Sequence, residues 1–393
     1  MKQTNFPARF APSATLMKNL LTVSVIGVII ILFGFFAAPT RTWINLLLAN
    51  YYLLSLGVAG IVFIAFQYIT NAGWSVGLRR VPEAMTNVLP VAGLVMLVVL
   101  FGIHSMYEWS HDEVVAKDHL LQTKTWWLNS TFFSIRTIFY IGLWILFAYL
   151  LRKTSQAQDY SAEISLTDKN RKIAGTFIVV IALTFTFASI DWIMSLEPHW
   201  YSTIFGLYNF TGMFLNGLAA ITILAILLKR MGPFQNVLNS SHLHDLGKLI
   251  FAFSTFWMYL WFSQYMLIWY SNIPEETTYF LARLKGSWTI FTLLNLLFNW
   301  AIPFVVLLPV WTKKNEGLLL KVCIIIMIGH WIDLFWMIMP PFMNNEPLLN
   351  IWEIGPIASA ISGFFYITFK AFSQKNTIPV NDPMLVESIA QQH

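Results

Sequence analysis

Apolar stretches of roughly 20 residues, separated by short polar connections, recur along the whole chain. They fall at about 17–38, 51–70, 84–107, 127–151, 172–194, 202–228, 246–270, 287–311, 318–339 and 351–372. A helix rising 1.5 Å per residue needs about 20 residues to cross roughly 30 Å of hydrocarbon, and a helix satisfies all of its backbone polar groups internally. The pattern therefore predicts an all-α integral membrane protein with about ten transmembrane helices. They form one polytopic domain over 1–372, followed by a polar tail, 373–393. The first apolar run, Leu20 to Ala38, is longer than the roughly 7–15 residues of a cleavable signal core and reads as a retained span. Two connections are long. Segment 108–126 is acidic and ends at Trp126 and Trp127, which predicts a short helix lying in the interface, whereas 152–171 reads as a polar loop. The tail, with Pro379 and Pro383, reads as extended and available to a neighbouring subunit.

Charge gives the spans a direction. Lys and Arg accumulate in cytoplasmic loops of membrane proteins. With both termini cytoplasmic, eighteen of the 24 Lys and Arg residues fall on the inner side, from Lys2, Arg9 and Lys18 to Lys370 and Lys375. Five fall outside: Arg41, Lys117, Lys124, Arg283 and Lys285, with Arg136 inside the fourth span. A miscounted helix would scramble this alternation. Composition agrees: 57% hydrophobic and 11% charged residues with a mean hydropathy of +0.63 exclude an ordinary soluble domain. The net charge of +5 resides in short loops rather than in a stripe, so nucleic acid is not the partner. Cys323 is the sole cysteine, which excludes internal disulfides and a cysteine-ligated iron–sulfur cluster in this chain.

Ionisable side chains inside spans cost several kcal/mol unless paired or hydrated, so each is a candidate for function. Toward the outer side lie His104 and Glu108, Arg136, Asp191, Glu197, His199, Glu353 and the pair His330 and Asp333, which share one helix face at i, i+3. On the inner side, His242, Asp245 and Lys248 repeat that spacing. Carboxylates and imidazoles in this arrangement suit proton transfer, as two half-channels or a proton-coupled site. Plainer roles compete: Asp245 as a first-turn acid after Ser240 and Ser241, Asp333 as the ion-pair partner of Arg136, and Arg79 and Arg80 as topology signals. A b-type haem needs two axial ligands from facing helices, and only His104 and His330 lie well inside spans, so no cofactor is expected in this chain.

Several longer stretches carry a resemblance. They are Ser189-Ile-Asp-Trp-Ile-Met-Ser-Leu-Glu-Pro-His-Trp-Tyr-Ser-Thr-Ile-Phe-Gly206, His244-Asp-Leu-Gly-Lys248 with its continuation through Thr277, and Gly73-Trp-Ser-Val-Gly-Leu-Arg-Arg80. They resemble the NrfD/polysulfide-reductase-type membrane subunits of alternative complex III, and the chain length is similar to that of the smaller of its two such subunits. The resemblance implies two four-helix bundles plus two extra helices in a bacterial inner membrane. It also implies a respiratory quinol:cytochrome c or oxidase-linked complex. The partners would be a larger NrfD-like paralogue, a multihaem cytochrome c subunit, an iron–sulfur subunit and possible links to a terminal oxidase, with haem c and iron–sulfur clusters in those partners. Within the family the larger paralogue carries the better supported quinol site. For this chain the resemblance implies scaffolding with a proton pathway of its own through Asp191, Glu197, His199, Asp245 and Lys248. His242, His330, Asp333 and Glu353 join that pathway on the burial argument alone; His104 and Arg136 are candidates for a quinone contact. A standalone proton-coupled transporter and a purely structural anchor are the competing readings.

Overall fold

A computed structural model describes residues 10–343 and 346–390. Lys2 and Arg9 of the charge pattern, and the last three residues of the tail, lie outside the described residues. Every regular element among the described residues is helical. Ten long helices succeed one another: α1 (Ala14–Ala37), α2 (Pro39–Ile69), α3 (Arg80–Met106), α4 (Ser130–Ala157), α5 (Ile164–Trp192), α6 (Phe205–Arg230), α7 (Ser240–Ser271), α8 (Trp288–Leu307), α9 (Glu316–Ile338) and α10 (Ile351–Ser373). Nine of these, among the described residues, are long and apolar enough to cross a membrane. The tenth, α7, is 32 residues long, but its Ser, Gln, Trp and Tyr positions lower its apolarity. The chain is an all-α integral membrane protein.

Packing divides the helices as the resemblance implied. Helices α2 to α5 form one four-helix bundle and α6 to α9 a second, while α1 and α10 pair with each other and lean on α2 and the start of α3. The bundles meet along α2 and α6. Both helices are apolar around nearly their whole circumference and are buried along nearly their whole length. Close approach there rests on Gly217, since a Cβ at that position would overlap the Cβ of Ala59. The α1–α10 contact uses Gly27 similarly, where a Cβ would lie 2.5 Å from the carbonyl oxygen of Gly355. Helix α8 contains a π turn at Leu297–Ala301, just before Pro303. Proline has no N–H to offer the carbonyl four residues back, and the Asn299 carbonyl instead accepts from Ser254 Oγ of α7 at 2.6 Å.

With each long helix crossing once, the connections bearing Arg79, Arg152, Arg230, Lys314 and Lys375 share one face, here called the basic face. Four expectations change. The loop expected at 152–171 is mostly helix, because α4 runs to Ala157 and α5 begins at Ile164. An amphipathic helix, Pro274–Leu284, crosses the opposite face and went unread. The tail is docked rather than extended: helix Leu385–Ala390 packs on residues 73–78, and Asp382 pairs with Arg79. Arg79 and Arg80 are correspondingly buried, and Arg80 bridges Glu83 and Asp159 at 2.5 Å each. They are joints of the fold as well as members of the basic face. Segment 108–126 does form short helices, Asp112–Val115 and His119–Lys124.

Candidate functional site

Toward the opposite face, three of the expected carboxylates are locked by arginine. Asp191, fully buried at the end of α5, accepts from Arg136 Nε at 2.8 Å and Nη2 at 2.9 Å, from Trp127 Nε1 at 2.9 Å and from the Tyr140 hydroxyl at 3.1 Å. These four donors occupy the acceptor sites of both carboxylate oxygens. Arg136, weighed as a quinone contact, is committed to Asp191 and lies 4.1 Å over the Trp127 ring. It does not pair with Asp333, which overturns that expectation: Asp191 presents its carboxylate directly to the guanidinium.

Glu353 accepts from Arg41 Nε at 2.6 Å and Nη2 at 2.8 Å and from Asn45 Nδ2 at 3.0 Å. It also closes a capping box, accepting from the backbone N–H of Asn350 at 2.9 Å. Glu197 pairs with Arg283, which is fully buried and stacks 3.4 Å over the Tyr279 ring. Its remaining donors reach the carbonyls of Trp336, Met337 and Tyr279. Stacking of Trp200 on Tyr279 at 3.8 Å completes the seat of the amphipathic helix on the 189–206 motif. His199 is exposed and pairs with Asp118 at 2.5 Å. Outside the membrane-spanning helices, the backbone N–H of Leu121 and then His199 hold the Asp118 carboxyl below the usual carboxylate range. His104 is exposed, not deep in the span, with Nδ1 3.1 Å from Ser110 Oγ.

The second bundle differs. Asp333 on α9 is 1% exposed, and no cation reaches it among the described residues. Its donors are neutral: the Tyr208 hydroxyl, Asn295 Nδ2 at 2.8 Å and Trp257 Nε1 at 3.2 Å, from α6, α8 and α7. His330, one turn earlier and equally buried, has neither ring nitrogen hydrogen-bonded to a described residue. Gly212 of α6 brings these two side chains to a common space, since a Cβ there would lie 3.4 Å from His330 Nδ1 and 3.5 Å from Asp333 Oδ2. The Tyr52 ring stands 5.6 Å from the imidazole, and its hydroxyl donates to the Met327 carbonyl at 3.0 Å. Its neighbour Tyr51 donates to Asn209 at 3.3 Å and lies 3.3 Å from Ser189 Oγ. Successive positions of α2 thus reach both bundles.

At the basic face, the cap of α7 is Asn239 rather than Ser240 or Ser241, and its capping box uses His242 at the third position. His242 Nδ1 is 2.8 Å from Asn239 Oδ1. Asp245 pairs with Lys248 at 2.6 Å, at the mouth of a cleft. Thus the structure brings His330 and Asp333 together, ties His242 to a cap, and sets Asp191, Glu197 and Glu353 each against its own arginine. Missed in the sequence were Tyr52, Tyr208, Trp257, Asn295 and the locking residues Arg41 and Arg283. Uncharged Asn, Tyr and Trp inside apolar runs were the available signal. Among the described residues, no three His, Cys, Asp or Glu side chains converge as metal ligands. No family model and no curated protein matches the chain.

Proposed function

We propose that this chain is the smaller NrfD-like membrane subunit of a respiratory quinol-oxidising complex of the alternative complex III type, in a bacterial inner membrane. In that complex it scaffolds its partners and exchanges protons at Asp333 and His330. Haem c, iron–sulfur clusters and the principal quinol site belong to partner chains on this reading. The observation that carries the proton role is the contrast between carboxylates. Asp191, Glu197 and Glu353 each face a guanidinium, whereas Asp333 has only neutral donors and a neighbouring imidazole with open nitrogens. A buried carboxylate without a fixed cation takes its charge compensation from a proton. Tyr208, Asn295 and Trp257 hold the carboxylate oriented, and the imidazole next to it supplies a second proton carrier. The wider relay is thereby reduced to one site in the second bundle.

Two measurements test the proposal. Gentle solubilisation should recover the chain with haem-bearing partners visible in the absorption spectrum; a colourless monomer would remove the complex from the reading. In the assembled complex, Asp333→Asn should lower proton release per quinol oxidised, while Asp191→Asn should act through assembly and leave that stoichiometry unchanged in whatever complex forms. Unaltered stoichiometry and turnover in Asp333→Asn would sink the proton role.

A further inference from the structure

At the basic face, a cleft of about 860 Å³ opens on the seam between the two bundles, within the size range of small-molecule sites. Its floor is aromatic: Phe66 of α2, Phe214 of α6 and Phe253 of α7 meet edge to face, with ring centroids 5.4 Å and 4.7 Å apart. Its rim is charged and polar. Lys248 of α7 supplies an ammonium that is 55% exposed despite its pairing with Asp245. From the docked C-terminal helix comes Glu387, which is exposed and enters no ion pair with a described residue. Its carboxylate sits against the backbone of Gly73, 2.9 Å from where a Cβ would stand. Gln67 also lines the cleft, its amide oxygen buried and without a hydrogen bond to a described residue.

An apolar floor under a polar rim, at the depth where spans end, fits an amphiphile. The rim selects which one. Two carboxylates against a single ammonium oppose a purely anionic head, and they call for a ligand that brings its own N–H donors. A quaternary ammonium has none to give to Glu387. We propose that this cleft holds an ethanolamine-type phospholipid. Its primary ammonium lies against Glu387, its phosphate against Lys248, and the start of an acyl chain over Phe66, Phe214 and Phe253. The C-terminal helix then acts as one wall of a lipid site, which explains a tail folded back across the bundle seam.

The test is native mass spectrometry of the protein purified in mild detergent with any associated subunits, stripped of lipid and titrated with phosphatidylethanolamine, phosphatidylcholine or phosphatidylglycerol. One equivalent of phosphatidylethanolamine should bind about tenfold more tightly than either competitor, the size of one charge-assisted hydrogen bond. Glu387→Gln, at an exposed position, should abolish the preference for ethanolamine over choline. Lys248→Gln should weaken all three lipids alike. Phosphatidylglycerol binding as tightly as phosphatidylethanolamine, or a Glu387→Gln protein with undiminished preference, would overturn the assignment. So would displacement of the lipid by an equimolar short-chain quinone.

Discussion

The Arg136–Asp191 pair offers the sharpest test of how the first bundle is held. Both side chains are buried, and two of the four donors on Asp191 come from the one guanidinium. Arg136→Met leaves the carboxylate to Trp127 and Tyr140 with no cation. Breaking a buried pair from one side costs about 3–5 kcal/mol. The two surviving donors put the expectation near the lower end, about 3 kcal/mol. Were the contact only a set of interhelical hydrogen bonds, the loss would be about 0.6 kcal/mol each, or roughly 1 kcal/mol for two. Asp191→Asn should also cost about 3 kcal/mol, because Arg136 then lacks a counter-charge in a buried place. The double variant Arg136→Met with Asp191→Asn removes both charges yet keeps an acceptor for Trp127 and Tyr140. It should cost only about 1–2 kcal/mol, far below the sum of the two single changes. Unfolding in mixed micelles with increasing dodecyl sulfate, followed by Trp fluorescence and helicity, measures all three. An additive double variant, or an Arg136→Met protein within about 1 kcal/mol of wild type, would show that charge compensation is not what holds this joint.

Other predictions follow from single contacts. Gly217→Leu forces a side chain onto Ala59 at the α2–α6 seam and should cost about 1–3 kcal/mol in the same assay, or separate the bundles outright. Asp382→Asn removes the carboxylate from Arg79 and should release the C-terminal helix, seen as faster proteolysis after residue 374 with the ten spans intact. Asp118 has a depressed carboxyl in the folded protein, so its anchoring of the Leu120 and Leu121 amides is fully present above the ordinary value of about 3.9 and is lost as pH falls through the lower folded value. Hydrogen exchange at those two amides, corrected for intrinsic rates, should hold steady from neutral pH to about 5 and quicken only below about 4. Exchange that stays slow well below that value would show that the Asp118 carboxylate does not anchor these amides.

Much of the fold was legible because lipid permits so few solutions. Apolar runs long enough to span, alternating with basic loops, dictate helices and their order, and the spans read from the sequence correspond to the ten long helices. The boundaries were less visible. Polar residues of 152–171 continue α4 and α5 beyond the hydrocarbon, where the helix no longer needs an apolar surface. The tail had no apolar stripe to announce its docking, which depends on Asp382 meeting Arg79 and on Ser388 bonding Trp74 and Gly77. Capping boxes at Asn239 and Asn350 were readable in principle, and Asn350-x-x-Glu353 would have marked Glu353 as a cap rather than a carrier. For Asp333, the i, i+3 spacing gave the right neighbour, His330, while the alternative that intramembrane charges pair named the wrong partner, Arg136. Which arginine reaches which carboxylate depends on the pairing of helices, and one sequence carries no direct record of that.

The carboxylates divide by whether a guanidinium reaches them. Arg41 lies three residues into α2, Arg283 lies on a helix outside the hydrocarbon, and Arg136 is in the second turn of α4. Each stands near the end of its element and meets one carboxylate there, Glu353, Glu197 and Asp191 respectively. Asp333 sits five residues before the end of α9, ringed by α6, α7 and α8. A guanidinium brought there would lose nearly all of its hydration, a penalty its attraction to one carboxylate only partly returns. Neutral tyrosine, tryptophan and asparagine avoid that penalty, and on the proposed function the compensating charge is an exchangeable proton. Placing an arginine at Asn295 tests the idea from the other side. If fixed compensation is incompatible with function at this site, Asn295→Arg should yield a folded protein, with Asp333 now paired, whose proton stoichiometry matches that of Asp333→Asn. A folded Asn295→Arg protein with normal stoichiometry would mean that an exchangeable proton on Asp333 is not required.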